Sequence, residues 1–393
     1  MLKRLSTILV SGVVLLTSAV AVRADWDAGV AAFKSGNYNE AAKQFQAFVD
    51  ERPDVFQGHY MLGQSLAKLN RNQEALAHLK KAIELEPNNV GVQLILGKVY
   101  LEVGQYADAA AILGKIDSSS LPAAQQSAVH QMLALALEKS GDSGRALGQL
   151  AQAARAKPND ANVQYQYGAA ALRAGDTATA VTALGKAASL EPNDPDKLNA
   201  YAQALVRVGR TSQGNAKTQA YQKAAQAGAQ LVALDPSYDN LMLLAGAQLG
   251  AKQYDGALST LQQAARKNPS DWLPLFYMGQ AYTQKENYSS AERSLASATS
   301  KASTAKDKST INSQLGFVYE KQKRYDEAIA AYRTAGDQSG VARAQKNKET
   351  AEFNKAVEEE NEIRRQLQEE KEKLEEELKG LPGGTAPDDS GGD

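Results

Sequence analysis

Side chains able to do chemistry are few in this chain, and they do not converge. There is no cysteine among the 393 residues, which excludes disulfides, thiolate metal sites and a cysteine nucleophile together. The three histidines, His59, His78 and His130, fall at unrelated places and lack a partner at ligand spacing. They read as half-buried helix residues rather than ligands. No G-x-S-x-G, H-E-x-x-H or G-x-x-x-x-G-K-[ST] segment occurs, so the nucleophile elbow, the zinc helix and the phosphate loop are all missing. The expectation is a protein without catalytic residues, metal or cofactor. A charged fraction of 23% with a net charge of -1 gives no global attraction to nucleic acid or to a membrane surface.

What the chain does carry is a period. In Phe56 to Asn89, Leu62 and Gly63 stand together, Ala75 follows twelve after Gly63, Ala82 seven later and Pro87 five later, and the next copy starts at Val90. A unit of this size cannot bury its own apolar face and must stack on its neighbours. Two helices crossing at about 8–10 Å leave no room for large side chains where they touch, which is the role read for Gly63, Ala75 and Ala82. Gln73 to Ile83 has helical spacing and Pro87 ends it.

This spacing resembles the tetratricopeptide repeat, a helix-turn-helix unit with a Leu-Gly pair, small residues and a closing proline. Nine copies follow one another from Asp25. Their markers include Gly29 and Pro53, Leu96-Gly97, Leu133-Ala134 and Pro158, Tyr167-Gly168 and Pro192, Tyr201-Ala202, Leu244-Ala245 and Pro269, Met278-Gly279, and Leu315-Gly316. The resemblance implies an all-α, right-handed α-solenoid over residues 25–342, read as one undivided array. Asp117 to Pro122 reads as a lengthened loop. The sixth copy closes late, at Pro236, so an insertion is placed near 210–220, around Arg210 to Lys217. It reads as a longer loop or an extended helix end, with a functional protrusion as the alternative.

The ends differ from the body. Lys3 and Arg4, an apolar run from Leu5 to Val22 and the small residues before Asp25 read as a signal peptide over 1–24, cut after Ala24 so that Asp25 caps the first helix. The other reading is an uncleaved anchor. Cleavage implies a periplasmic or secreted protein with no further membrane insertion. Residues 343–379 read as a charged helix that starts near Val341, and 380–393 as a disordered acidic tail. From Ala351 onward the net charge is -8, leaving +7 on the remainder. Phe353, Leu367, Leu374 and Leu381 keep a seven-residue step that Glu360 interrupts, so the helix is a possible coiled coil of weak self-association.

The resemblance also implies that the first helix of each repeat lines a groove. At its fifth place stand Trp26, Tyr60, Tyr165 and Phe276, which fit either capture of a protein or peptide segment or packing against the next repeat. At its thirteenth place stand Lys68, Lys139, Arg173 and Arg207. These form either a cationic ladder or a set of last-turn cations that offset the helix dipole. No repeat pairs a lysine at the fifth place with an asparagine at the ninth, so the family's carboxylate clamp is not expected. The reading is an exported scaffold for protein partners in an envelope assembly such as a secretion, pilus or polysaccharide-export machine. A periplasmic chaperone or holdase is the alternative.

Overall fold

Each repeat becomes two helices because its apolar residues recur at helical spacing and its breakers fall at the joints. The computed structural model of the protein describes residues 20–380, and the leader reading for Met1 to Ala19 lies outside them. Nine helix pairs follow in order: α1 (Val20–Lys34) with α2 (Tyr38–Glu51), α3 (Phe56–Lys68) with α4 (Asn72–Leu85), α5 (Val90–Glu102) with α6 (Tyr106–Leu113), α7 (Ala123–Lys139) with α8 (Ser143–Ala156), and α9 (Ala161–Ala174) with α10 (Thr177–Leu190). Then come α11 (Pro195–Thr211) with α12 (Gly214–Leu234), α13 (Tyr238–Gly250) with α14 (Tyr254–Lys267), α15 (Leu273–Gln284) with α16 (Tyr288–Lys301), and α17 (Ala305–Lys321) with α18 (Tyr325–Ala335). A single long helix, α19 (Gln338–Gly380), ends the described chain. The protein is an all-α tetratricopeptide-type solenoid with a long C-terminal helix. Among the described residues no helix is long and apolar enough to cross a membrane.

The contact that joins the two helices of a repeat is the same almost throughout. A small residue in the first helix meets a large one sixteen positions later: Gly29 with Phe45, Gly63 with Leu79, Gly97 with Leu113, Gly168 with Leu184, Gly279 with Leu295 and Gly316 with Tyr332. A Cβ on any of these glycines would lie 2.5–2.8 Å from its partner's side chain, closer than carbon atoms can approach. The turn between the helices takes a positive φ, supplied by Gly36, Gly104, Gly141 and Gly175, but by Asn70, Lys252, Glu286 and Lys323 elsewhere. Those four accept a backbone region that disfavours a Cβ.

The described residues form two compact units, one ending at Ala204 and one beginning at Leu205. The division falls inside α11, next to the insertion. The insertion takes the form of extended helix ends, one of the two shapes expected: α11 runs to Thr211, and α12, 21 residues long, starts at Gly214. Tyr221 of α12 explains why. Its ring fills the space beside Gly209 and Gly250, where added Cβ atoms would lie 2.7 and 2.4 Å from it. The lengthened loop after α6 is a short 3-10 turn, Ser118–Ser120, capped by Asp117.

At the N-terminal end α1 is described from Val20, so Asp25 lies within it in the uncut chain; the reading of Asp25 as a cap belongs to a chain cut after Ala24. At the other end α19 starts at Gln338, three residues before Val341. The Asp337 carboxylate accepts the backbone N–H of Gly340 at 2.8 Å and is held below its usual pKa chiefly by that bond. The first turns of α19 cap the ninth repeat: Ala344 is fully buried, and Arg343 pairs with Glu320 at 3.1 Å while its guanidinium lies 5.4 Å over the Tyr332 ring. Burial, and then the Glu320 carboxylate, push the Tyr332 hydroxyl up to about 12.

These contacts separate glycines that must stay small from those that need not. At Gly168 a Cβ would meet the backbone nitrogen of Leu184 at 2.9 Å, so Gly168→Ala should cost about 1–3 kcal/mol. Gly148, inside α8 with nothing within 4 Å, should gain about 0.5–1 kcal/mol as Ala. Urea unfolding of the two variants checks both signs.

Candidate protein-binding surface

In the first unit α3 adjoins α5 and α5 adjoins α7, and in the second α15 adjoins α17, so outward places of successive first helices form continuous surfaces within each unit. The four aromatic residues of the fifth place are mainly framework. Phe276 is only 8% exposed, packed between Trp272 and Tyr277 at 5.5 and 5.6 Å; it lines no surface, because its repeat folds it into the core of α15–α17. Trp26 is half-buried against Phe45 and Phe48 at 5.1 and 5.0 Å. Tyr60 stacks on Phe56 at 5.5 Å, and burial raises its hydroxyl pKa. Tyr165 is half-buried beneath the Lys197 ammonium at 5.8 Å.

That lysine is itself sequestered. Its ammonium pairs with Asp194 at 2.5 Å and Glu191 at 2.8 Å. Burial opposes its charge, but the two carboxylates outweigh burial and its pKa lies above the ordinary value.

The basic residues of the thirteenth place behave as last-turn cations. Lys68, Lys139 and Arg173 are exposed in the final turns of α3, α7 and α9, where they oppose the helix dipole. Arg173 is further engaged by Glu138 of α7 at 2.9 Å. Arg207 is exposed but lies a turn before the end of α11, because that helix is extended.

Among the described residues the most open large apolar side chain on a first helix of the repeats is one the fifth-place pattern does not include. Leu135 of α7 is 45% exposed. It stands at the ninth place, filled by Gln64, Lys98, Gln203 and Gln280 in four repeats and by Val30, Ala169 and Phe317 in three others, so the fold and not the pattern singles it out. Leu94 and Leu101 of α5 and Tyr60 of α3 are half-buried in the same succession of helices. Together they give the first unit an apolar strip edged by Gln64, Lys98 and the Glu138–Arg173 pair.

The histidines are not scattered. His59 and His130 both hold the fourth place of a first helix, and each meets a polar residue nineteen positions later. His59 Nδ1 lies 3.1 Å from His78 Nδ1, and His130 Nδ1 lies 2.7 Å from Gln149 Oε1. The fourth place also ties each repeat to the joint before it. His59 donates from Nε2 to the Pro53 carbonyl at 2.8 Å, Gln93 donates to that of Pro87 at 2.9 Å and Gln164 to that of Pro158 at 3.1 Å. Since a carbonyl only accepts, neutral His59 keeps its lone pair on Nδ1 and His78 is the donor between them. Among the described residues no group of three or more His, Asp or Glu is placed to hold a metal.

The tetratricopeptide repeat family matches residues 26–90, 132–196 and 278–342 by one description and 66–128 and 248–306 by a second. The chain belongs to the tetratricopeptide repeat family. Its matched stretches stop at 196 and resume at 248, flanking the lengthened α12. No curated protein matches the chain. Among solved structures it is similar to MamA 41-end from Desulfovibrio magneticus RS-1, at 21% identity and a TM-score of 0.38 over 45% of this chain and 94% of that one. It is also similar to YrrB, a TPR protein with an unusual peptide-binding site, at 20% identity and a TM-score of 0.43 over 53% and 100%. A third is the P58(IPK) TPR domain, at 18% identity and a TM-score of 0.28 over 84% and 99%. As a tetratricopeptide repeat protein, this chain has the fold of a protein–protein interaction scaffold.

The histidine contact makes acid stability testable. Burial, and then the charge of His59, lower the pKa of His78, so the unfolded chain takes up that proton more readily than the folded one. The stabilisation is complete above about pH 6.5 and is lost as pH falls through the lower folded value. His78→Gln can keep the bond without a titrating proton, by donating an amide N–H to His59 Nδ1. Its thermal midpoint should therefore fall less than that of the wild type between pH 7.5 and 5.5; an equal fall in both proteins would contradict this assignment.

Proposed function

We propose that the protein is an exported, non-enzymatic scaffold that docks protein partners in a cell-envelope assembly. The observation that carries the docking part is the apolar strip of α3, α5 and α7, with Leu135 open at its edge. Aromatic and aliphatic side chains fixed on rigid helices give contact area at low entropy cost, which suits an extended segment or an amphipathic helix. Absence of catalytic motifs in the sequence supports the non-enzymatic reading. The export part rests on the basic start, apolar run and small residues of 1–24 and places the mature protein in the periplasm or outside the cell.

A holdase reading uses the same strip for transient clients. The two readings separate on stoichiometry: a scaffold retains one or two defined partners, whereas a holdase suppresses aggregation of unrelated proteins.

Leu135→Glu tests the surface. The residue is exposed, so the variant should unfold within about 0.5 kcal/mol of the wild type yet lose the defined partners that the wild type retains in crosslinked envelope fractions. Retention of the same partners at the same yield would place recognition elsewhere.

A further inference from the structure

Beyond its first turns α19 has no partner in the monomer: from Glu352 to Lys379 every residue is exposed. The exposed apolar residues are Phe353, Val357, Ile363, Leu367, Leu374 and Leu378, with Phe353 at 69% and Leu378 at 62%. Six side chains of this size on one arm call for a cover. Positions 353, 357, 360, 364, 367, 371, 374 and 378 step alternately by four and three, the spacing of a two-stranded seam. Its residues in order are Phe, Val, Glu, Arg, Leu, Lys, Leu and Leu. The row at 357, 364, 371 and 378 takes the place of the one at Ala356, Ile363, Glu370 and Glu377. The apolar ends of this seam suit a helical partner; its charged middle restricts which one.

We propose that α19 pairs antiparallel with α19 of a second copy of this chain, in the register that sets Phe353 against Leu378 and Glu360 against Lys371. The seam dictates both direction and register. A parallel, in-register pair would stack Glu360 on Glu360, Arg364 on Arg364 and Lys371 on Lys371, three layers of like charge. Reversing one helix about the midpoint of Phe353 and Leu378 pairs Val357 with Leu374, sets Arg364 over Leu367 with its aliphatic stem, and brings Glu360 to Lys371 twice. Every layer is then apolar, oppositely charged, or an arginine stem laid along a leucine. Net charge favours the same direction: residues 353–365 carry -1 and residues 366–379 carry -3, so reversal keeps the two more acidic halves apart. Within the monomer Glu360 already pairs with Arg364 at 2.8 Å and Lys371 with Glu375 at 3.7 Å, but these exposed bridges are weak and their exchange costs little. The overlap is about 39 Å of helix. This pairing stands independently of the proposed docking strip.

Light scattering and sedimentation of the full chain test it. The wild type should be in monomer–dimer equilibrium. Lys371→Glu should weaken the dimer about tenfold or more by converting two attractive layers into repulsive ones, and Glu360→Lys added to Lys371→Glu should restore it. Because the chain has no cysteine of its own, direction can be read by oxidation. A Phe353→Cys chain mixed with a Leu378→Cys chain should give the mixed disulfide. A chain that stays monomeric at its highest soluble concentration, homodisulfides at both positions, or a Lys371→Glu chain that associates as the wild type does would each overturn the proposal.

Discussion

The closest approach between the two helices of a repeat governs the rest of the molecule. A glycine facing a leucine, phenylalanine or tyrosine sixteen residues on brings two backbones together while burying the large side chain completely; Phe45, Leu79, Leu113, Leu184 and Leu295 are all fully buried. Two of the three repeats without that glycine keep the logic with alanine, as Ala134 and Ala245 are followed sixteen later by Leu150 and Leu261, all buried; the sixth, with its lengthened helices, has Thr218 there. Such a pair is too small to fold alone, and its outer faces are covered by the next pair. Hydrogen bonds from His59, Gln93 and Gln164 to the proline carbonyls behind them then fix each joint. Packing sets the crossing within a repeat, and a polar bond sets the step to the next.

What was legible in the sequence was local. Leu-Gly pairs, small residues and closing prolines lie within one repeat length, so their spacing suffices to place nine helix pairs. What was not legible depends on residues brought together by the fold. The polar stretch around Arg210 carries Gly209 and Gly214 and reads equally as a longer loop or an extended helix end. It is helical because Tyr221 packs against Gly209 and Gly250, residues twelve before it and twenty-nine after it. The contact between His59 and His78 escaped for the same reason: nineteen residues is no ligand spacing on one helix, but it is the distance across an antiparallel pair. Trp26, Tyr60, Tyr165 and Phe276 were visible as aromatic residues, yet whether each faces solvent or core is decided by the neighbouring helices. Leu135 stands at a place filled by Gln64, Lys98 and Gln280 in some repeats but by Val30, Ala169 and Phe317 in others, so only the fold shows that it is open.

Function follows the same division. Among the described residues the framework consumes most of the aromatic residues and leaves few large apolar side chains open, one each on α7, α10 and α12 and the rest along α19. A solenoid of this kind acts by presenting surfaces fixed by packing, so changes in the framework act on recognition through the position of helices rather than through lost contacts. The separation of capped and free parts of α19 illustrates this: Arg343 and Ala344 belong to the ninth repeat, and Glu352 to Lys379 are surface.

The central claim is that close approach, not apolar content alone, sets the geometry of each repeat. A double-mutant cycle on Gly97 and Leu113 tests it most directly, since the three atoms nearest an added Cβ at Gly97 all belong to the Leu113 side chain, the closest at 2.5 Å. Gly97→Ala alone should destabilise by about 1–3 kcal/mol, and combined with Leu113→Ala it should cost less than the sum of the two by about 1 kcal/mol or more. Additivity within about 0.5 kcal/mol in urea unfolding would contradict the account.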